Sequence, residues 1–257
     1  MLPERYPLAA LPTPLTRLPR LDQVPEGPPA LVKRDDLTGF ALAGNKARKL
    51  EFLVGDALAS GCDVLVTGGG PGSNHCAASA AAARVAGLSC HLVMYGTEPD
   101  RQYPNLELAR CLGATISFTG RDDRDSVEPA LEAVADGLAG AGHRPCVIPR
   151  GCASAVGAAG YGLAVAELAG QLRALELEPR AVLVATGSGG TQAGLLAGVT
   201  AWSLPWRVIG VTVSRPPAEC RARVTTLARQ CAALLGWPPA KPGQIEVRDG
   251  RGPGYGA

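Results

Sequence analysis

The segment Asp63-Val64-Leu65-Val66-Thr67-Gly68-Gly69-Gly70-Pro71-Gly72-Ser73-Asn74-His75 decides the fold. Its first five residues form a short, β-rich apolar run, which a glycine loop and then an alanine-rich, helix-compatible run follow. The same order of strand, loop and helix recurs along the chain, and the strands are continuous apolar runs. This alternation is typical of an α/β protein whose parallel sheets are covered by helices on both faces.

The remaining elements follow from the same patterns. Apolar runs predict strands over residues 31–34, 90–94, 114–118, 146–148, 181–185 and 208–213. Helical spacing of apolar residues predicts helices over residues 46–60, 104–112, 126–139, 155–175, 192–201 and 218–235. Residues 1–30 are rich in proline and are predicted to be irregular and to lie across the surface of a domain.

The composition is that of a globular protein. The chain has 257 residues, of which 46% are apolar and 19% charged, and its formal net charge is +2. This length permits one large domain or two smaller ones. Because the charge is nearly neutral and no run of basic residues occurs, we expect no nucleic-acid partner. No apolar stretch has the length of a transmembrane helix, so we expect no membrane partner.

The cysteines and the N-terminal sequence bear on the compartment. The eight cysteines include no Cys-x-x-Cys pair, and most lie in apolar segments, where a free thiol packs as a small hydrophobic group. The first residues, Met-Leu-Pro-Glu-Arg, lack the apolar core of a signal peptide. We therefore expect a cytoplasmic protein without structural zinc or another bound metal.

A lysine stands at the start of the first predicted helix, within Gly44-Asn45-Lys46-Ala47-Arg48-Lys49-Leu50. A lysine that forms a Schiff base with an aldehyde needs a lowered pKa, which burial or a neighbouring cation can supply. Arg48 and Lys49 are candidates for that cation, although both could equally face solvent. The alternative is that Lys46 is a solvated lysine at a helix N-terminus and has no role.

Two glycine loops that precede helices predict anion sites. The first, residues 67–75, offers backbone amides and the side chains of Ser73 and Asn74, a set that suits a carboxylate. The alternative is a turn in which Ser73 caps the helix. The second, Ala185-Thr186-Gly187-Ser188-Gly189-Gly190-Thr191-Gln192, has the form of a phosphate-binding nest. A lysine, a carboxylate loop and a phosphate nest together match pyridoxal 5′-phosphate (PLP), which has an aldehyde and one phosphate.

Nucleotide-binding folds fit the second loop less well. The loop lacks the Gly-Lys-Ser/Thr ending of a Walker loop and the Gly-x-Gly-x-x-Gly spacing of a dinucleotide site. A Rossmann protein would also need an acidic residue at the end of its second strand, and none is in the right place.

On these motifs, the chain resembles the D-cysteine desulfhydrase / 1-aminocyclopropane-1-carboxylate (ACC) deaminase family, within the tryptophan-synthase-β-like PLP enzymes of fold type II. The resemblance runs from about Leu15 to the last residue. It is carried by Lys33-Arg34-Asp35-Asp36, Gly44-Asn45-Lys46-x-Arg48-Lys49-Leu50-Glu51, Ser73-Asn74-His75, Gly187-Ser188-Gly189-Gly190-Thr191 and Gly252-x-Gly254-Tyr255-Gly256. The Asn-Lys-x-Arg-Lys-Leu-Glu string is specific to this family, whereas the phosphate loop is shared more widely among fold type II enzymes.

The resemblance implies two open, twisted parallel-sheet domains with flanking helices. The larger, PLP-phosphate-binding domain would comprise residues 1–52 and 160–257, and the smaller, substrate-binding domain residues 53–159. Family members continue for several dozen residues past the position of Ala257, so the C-terminal part of the fold is expected to be missing. That part holds a further tyrosine and the group that faces the pyridine nitrogen. A homodimer is expected by the same analogy.

The resemblance also implies the roles of single residues. The expected catalytic residues are Lys46, Ser73 and Tyr255. The residues expected to hold the cofactor are Lys46, Asn74, Gly187, Ser188, Gly189, Gly190 and Thr191. The residues expected to bind the substrate are Ser73, Asn74 and His75.

Two local features depart from the family pattern. Gly151-Cys152-Ala153-Ser154 stands where relatives commonly have Gly-Gly-Ser-Asn or a similar polar turn, so substrate contacts are expected to differ there. His75 stands where ACC deaminases usually carry Gln, which favours the desulfhydrase-like branch; the alternative is a histidine that faces solvent at a helix start. His91 and His143 are expected to be structural.

Together these features predict a PLP-dependent lyase or deaminase that acts on a small amino acid. The favoured reaction is α,β-elimination, in which C–S cleavage of D-cysteine or a related β-substituted alanine gives pyruvate, ammonia and a thiol. One alternative is the ring opening of ACC, whose α-carbon has no proton and for which the family uses active-site tyrosines. The other alternative is a truncated, non-catalytic homologue that binds PLP.

Overall fold

The structure is a computed structural model that describes residues 3–18 and 30–252. The described strands form an antiparallel pair, a four-stranded parallel sheet of order β5-β4-β3-β6 and a three-stranded parallel sheet of order β7-β8-β9. The strands are β1 (Leu15–Arg17), β2 (Leu31–Lys33), β3 (Val64–Gly69), β4 (Ser89–Met94), β5 (Thr115–Phe118), β6 (Pro145–Val147), β7 (Ala181–Thr186), β8 (Arg207–Thr212) and β9 (Glu246–Asp249).

Helices connect the parallel strands. They are α1 (Asn45–Ala59), α2 (Asn74–Val85), α3 (Pro104–Cys111), α4 (Val127–Gly140), α5 (Ala155–Ala174), α6 (Gly190–Ala201) and α7 (Pro217–Leu235). The predicted α/β class with parallel sheets and flanking helices is confirmed, and the ends of the predicted elements lie within about two residues of those in the structure. Within the described ranges, no helix has the length and apolarity that crossing a bilayer would require.

The four-stranded sheet is covered on both faces, as the sequence predicts. On one face, Leu65 and Leu92 pack in the same core as apolar residues of α1, α2 and α3. On the other face, Val64 and Val66 pack against Val127 and other residues of α4. Successive strand residues point to opposite faces, so these continuous apolar runs supply both cores.

The three-stranded sheet departs from the prediction that helices cover both faces. Val208 and Val247 face a core shared with α5, α6 and α7. On the opposite face of β7, however, Leu183 is 70% exposed, and Ala185 is exposed as well. The described helices that contact this sheet pack on one side of it, so the prediction is wrong here for the part of the chain that the structure describes.

The N-terminal segment is more regular than its prolines suggest. β1 lies within residues predicted to be irregular and pairs with β2, with Leu15 opposite Lys33. Ahead of it, the backbone amides of Leu8 and Ala9 donate to the carboxylate of Glu51, so this segment does lie across α1 as predicted. Neither β1 nor β9 was predicted, because each is short and carries polar residues.

Close packing of helix backbones explains the glycines of α5 and α6. A Cβ on Gly160 would lie 2.1 Å from the carbonyl oxygen of Arg48 in α1, and a Cβ on Gly194 would lie 2.1 Å from that of Ala158. Only glycine permits such an approach. As a result α5 lies directly against both α1, which carries the lysine motif, and α6, which follows the second glycine loop.

A buried guanidinium fixes the start of α1. Arg48 is 2% exposed and forms hydrogen bonds with both carboxylate oxygens of Asp35, at 2.9 Å each, and of Glu167, at 2.8 and 3.0 Å. Tyr161 donates a further hydrogen bond of 2.6 Å to Asp35. Burial opposes ionisation of Glu167, but hydrogen bonds from Arg48 and Lys33 outweigh it and lower the pKa of that carboxyl. These bonds join α1 to α5 and to the turn after β2.

Replacing Arg48 with Gln should lower the free energy of unfolding by about 3–5 kcal/mol, because it leaves the partly buried carboxylate of Asp35 without its cation and that of Glu167 with Lys33 alone. Urea unfolding followed by circular dichroism measures this change. The matched control is Arg34→Gln, since Arg34 also pairs with an aspartate, Asp36, but at the surface. The control should unfold at the same urea concentration as the unmodified protein. If the two variants were destabilised equally, burial of the Arg48 ion pairs would not be the reason for the effect.

Candidate active site

A cavity of about 400 Å³ lies where strands of the two parallel sheets end. Its wall includes Gly68 and Gly69 at the end of β3, Thr186 at the end of β7 and Val213 just after β8. The carboxyl ends of parallel strands are the usual place for a ligand in such sheets. The cavity brings together the start of α1 and both glycine loops, which are far apart in the sequence.

Lys46 lies in the wall of this cavity, one residue after the start of α1. Its Nζ donates a 3.0 Å hydrogen bond to Oδ1 of Asn45, and Asn45 Nδ2 donates at 3.3 Å to Oγ1 of Thr191 in the second loop. Burial lowers the pKa of Lys46. The amine is therefore held toward the second glycine loop, and Lys46 is half-buried in the cavity wall, which argues against the alternative of a fully solvated lysine.

Lys49, which the sequence suggested only as a possible cation beside Lys46, is itself a residue of the cavity wall. Its side chain is 1% exposed, lines the same cavity and donates a 3.3 Å hydrogen bond to the carbonyl oxygen of Gly151. Burial, and then the charge of Lys46, lower the pKa of Lys49 to about 7. Within the described residues no carboxylate forms a salt bridge with it. The three-residue spacing from Lys46, which places both side chains on one helix face, was the available signal.

The second glycine loop has the geometry of an anion site. Gly189 has a φ of +88°, a left-handed conformation that favours glycine, and α6 begins at the next residue. The first amides of α6 have no partner within the helix, and hydroxyl groups of Ser188 and Thr191 line the cavity beside them. A Cβ on Gly190 would lie 3.1 Å from Lys49 Nζ. Free amides, two hydroxyls and a buried ammonium without a carboxylate partner form a donor set that fits a phosphate monoester.

The first glycine loop ends in a capped helix. Ser73 Oγ accepts a 3.3 Å hydrogen bond from the amide of Cys76, so the predicted alternative, a helix cap, is present. This bond leaves the hydroxyl proton of Ser73 available to a ligand. Asn74 Oδ1 accepts a 2.7 Å hydrogen bond from Asn105 Nδ2. Both Ser73 and Asn74 line the cavity, and the capping bond does not prevent a ligand role.

His75 is buried, 4% exposed, and fixed in one tautomer. Thr67 Oγ1 donates to the carbonyl oxygen of Ile148 at 2.6 Å, so it accepts the 2.8 Å hydrogen bond from His75 Nε2. The unprotonated Nδ1 lies 3.2 Å from the Cys152 thiol. Burial, and then the charges of two lysines, lower the pKa of His75 to about 3, so the ring is neutral. The solvent-facing alternative is therefore wrong.

The remaining predicted positions differ in where they lie. Tyr255 lies outside the described residues. In the turn 151–154, Gly151 lines the cavity, and Ser154 accepts a hydrogen bond at the start of α5. His91 bonds to Ser117 and His143 to Asp63, as expected of structural histidines.

Residues 7–252 match a family model described as "Pyridoxal-phosphate dependent enzyme". The chain belongs to this family of PLP-dependent enzymes. Its cofactor is therefore PLP, and the donor set at the second glycine loop suits the phosphate of that cofactor. The lysine motif and the phosphate loop, from which the sequence predicted PLP, lie in the same cavity.

This PLP-dependent enzyme is similar both to proteins named D-cysteine desulfhydrase and to proteins named 1-aminocyclopropane-1-carboxylate deaminase. It is 39% identical over 236 residues to a D-cysteine desulfhydrase of Salmonella paratyphi A, covering 90% of this chain and 71% of the relative. It is 38% identical over 241 residues to a 1-aminocyclopropane-1-carboxylate deaminase of Methylobacterium nodulans, covering 91% and 72%. A crystal structure of an ACC deaminase homologue matches 99% of this chain and 76% of its own, with a TM-score of 0.90 and 35% identity.

Lys49 should make the stability of the cofactor-free enzyme depend on pH. Its pKa is about 7 in the folded chain and about 10.4 when unfolded, so between these values the unfolded chain binds more protons and stability rises with pH. From pH 7 to 8 this gain should be about 1 kcal/mol. Urea unfolding at the two pH values, in the unmodified protein and in Lys49→Met, measures it.

At pH 7 the Lys49→Met protein should be more stable than the unmodified protein. Its stability should also rise less between pH 7 and 8, because the contribution of Lys49 is gone. Bound PLP should also reduce this dependence in the unmodified protein, because its phosphate would compensate the ammonium. An identical pH dependence in both proteins would show that Lys49 does not carry the buried charge.

Proposed function

We propose that this PLP-dependent enzyme is a lyase that acts on a small amino acid by α,β-elimination. The substrate is D-cysteine or a related β-substituted alanine, and the products are pyruvate, ammonia and a thiol. The observation that carries the proposal is the placement of one buried amine, that of Lys46, in the same cavity as a phosphate nest and a hydroxyl- and amide-bearing loop.

The cofactor would be held at its two ends. Lys46 would hold the aldehyde end, helped by a lowered pKa that leaves its amine reactive at lower pH than a solvated lysine. Residues 187–191 and the ammonium of Lys49 would hold the phosphate. Asn74 would hold the ring hydroxyl group. Bound in this way, PLP supplies an electron sink that stabilises negative charge at the α-carbon of an amino acid.

The substrate would be held at the first glycine loop. The Ser73 hydroxyl and the Asn74 amide bind the α-carboxylate at the N-terminus of α2, where the helix dipole favours an anion. His75 forms the adjoining wall as a neutral ring, since both of its nitrogens already have partners in the fold. Lys46 Nζ would take up the α-proton of the substrate, and its hydrogen bond to Asn45 Oδ1 would orient it.

Elimination is favoured over ring opening by the amine that Lys46 offers in the cavity wall. Elimination from a β-substituted alanine begins with removal of an α-proton, for which the single amine of Lys46 suffices. The α-carbon of ACC has no proton, so its ring opening needs a further proton-transferring group. The relative named D-cysteine desulfhydrase supports the same choice.

The proposal includes the wider organisation predicted from the sequence. The proposal keeps two domains, of residues 1–52 with 160–257 and of residues 53–159. The separate cores of the two parallel sheets support a division into two, although Ala47 and Leu50 of α1 pack in the core of the four-stranded sheet. A homodimer and a cytoplasmic location complete it, and size-exclusion chromatography with light scattering tests the first of these.

Replacing Lys46 with Ala should abolish the visible absorbance band of covalently bound PLP and the formation of pyruvate from D-cysteine, because the only amine assigned to both steps is lost. Spectra and a coupled lactate dehydrogenase assay measure the two effects. Lys241→Ala is the matched control, since Lys241 is exposed and remote from the cavity. The control should retain the band and the activity, and an unchanged band in the Lys46→Ala protein would refute the assignment.

D-cysteine, L-cysteine and ACC, added separately to the PLP-loaded enzyme, should differ in product. We expect pyruvate and sulfide from a cysteine enantiomer and no 2-oxobutanoate from ACC, because the α-carbon of ACC has no proton for Lys46 to remove. If the enzyme formed 2-oxobutanoate from ACC faster than it formed pyruvate from either cysteine, its function would be ring opening and not elimination.

A further inference from the structure

The turn between β6 and α5, residues 148–154, touches both Lys49 and the second glycine loop. The carbonyl oxygen of Gly151 accepts hydrogen bonds from Lys49 Nζ at 3.3 Å and from Ser188 Oγ at 3.5 Å. A Cβ on Gly151 would lie only 2.7 Å from Ser188 Oγ, so the turn and the loop are in direct contact. The position of this turn therefore helps to set the positions of two groups that the proposed function assigns to the cofactor phosphate.

The backbone of the turn is strained next to this contact. Gly151 has a φ of +71°, which suits glycine, but Cys152 has a φ of +56° and is not a glycine. A residue with a Cβ persists in this conformation only where its surroundings hold it there. The contacts of Cys152 should therefore show what keeps the turn in place.

A hydrogen bond between Cys152 and His75 supplies such a contact. The Cys152 side chain is 0% exposed, and its Sγ lies 3.2 Å from His75 Nδ1, the ring nitrogen that carries no proton. Burial raises the pKa of the Cys152 thiol to about 11, although the charges of Lys49 and Lys46 oppose the shift. The thiol therefore keeps its proton and donates it to the ring. Ser79 Oγ makes a longer contact, of 3.4 Å, with the same nitrogen.

The other nitrogen of the same ring holds the start of the turn. His75 Nε2 donates to Thr67 Oγ1 at 2.8 Å, and Thr67 donates at 2.6 Å to the carbonyl oxygen of Ile148. Residues 148 and 152 of the turn are thus both held, one through Thr67 and one directly, by a histidine of α2. Both ring nitrogens have partners within the fold, which leaves neither of them for a substrate.

We propose that His75 and Cys152 are positioning residues for the cofactor phosphate. Their hydrogen bond holds the turn so that the carbonyl group of Gly151 keeps Lys49 and Ser188 beside the phosphate. His75 then acts on the affinity for PLP and not, as the family resemblance implied, by binding the substrate. This inference rests on the proposed function, which assigns Lys49 and the second glycine loop to the phosphate.

The test compares PLP with pyridoxal, which has the same ring and aldehyde but no phosphate. The dissociation constants of both are measured by absorbance, starting from the cofactor-free enzyme. Cys152→Ala removes the donor and should weaken PLP binding by about tenfold, which corresponds to the loss of one hydrogen bond. Pyridoxal binding should not change. Cys152→Ser retains a donor and should keep most of the affinity for PLP.

His75→Gln breaks the same hydrogen bond from its other end. The glutamine amide lies at the far end of its side chain, so it can replace Nε2 toward Thr67 but cannot replace Nδ1 toward Cys152. This variant should weaken PLP binding as Cys152→Ala does, and the two changes together should cost no more than either alone. Cys231→Ala should change neither constant, because Cys231 is also 0% exposed but lies in α7 and outside the cavity wall.

Two results would overturn the inference. One is that Cys152→Ala and His75→Gln bind PLP as tightly as the unmodified enzyme. If alanine then bound less tightly to the PLP-loaded His75→Gln enzyme, His75 would belong to the substrate carboxylate. The other is that both variants bind PLP and pyridoxal less tightly by the same factor, which would make the hydrogen bond a general support of the fold.

A failure of the proposed phosphate site would look different. Lys49→Met removes the ammonium assigned to the phosphate, so it should also weaken PLP binding and leave pyridoxal binding unchanged. If Lys49→Met did not change the affinity for PLP, the assignment of the phosphate would be wrong. If Lys49→Met weakened PLP binding and neither Cys152→Ala nor His75→Gln did, the assignment would stand and the role of His75 and Cys152 would be wrong.

Discussion

The buried guanidinium of Arg48 is the interaction on which the site depends. It holds Asp35 and Glu167 through paired hydrogen bonds, and so fixes α1 against α5 and against the turn after β2. Lys46 and Lys49 flank Arg48 on the first two turns of the same helix and point into the cavity. An arginine directed into the protein interior therefore sets the position of two lysines directed at the ligand. Gly160 permits the close contact of the two helices that this arrangement needs.

The cavity has a surplus of positive charge, because lysines and arginines line it and no described residue of its wall is a carboxylate. Lys46 and Lys49 lie against the second glycine loop, where burial lowers the pKa of both amines. The carboxylates that could compensate them are used elsewhere: Asp35 and Glu167 pair with Arg48. The phosphate of PLP would offset part of this positive charge. The same uncompensated charges therefore lower the stability of the ligand-free protein and raise the affinity of the cavity for anions.

Much of the fold and part of the site could be predicted from the sequence. Apolar runs and helical spacing located the parallel strands and their helices, because buried sheets require them. The string around Lys46 and the loop at Gly187 indicated PLP. The tautomer of His75 could not be predicted, because it depends on Thr67, Ile148 and Cys152. The exposed face of β7 could not be predicted either. The strand is apolar throughout, and its sequence does not show whether helices cover one face or both.

The central claim is that Lys46, and not Lys49, bonds to PLP. Lys49 is a real competitor, because its lowered pKa also provides a neutral amine near pH 7. Borohydride reduction of the PLP-loaded enzyme fixes the cofactor to its lysine, and proteolysis with mass spectrometry then locates it. The account predicts the added mass on Lys46 alone, with Lys49 unmodified. Cofactor found on Lys49, or on no lysine of the motif, would contradict it.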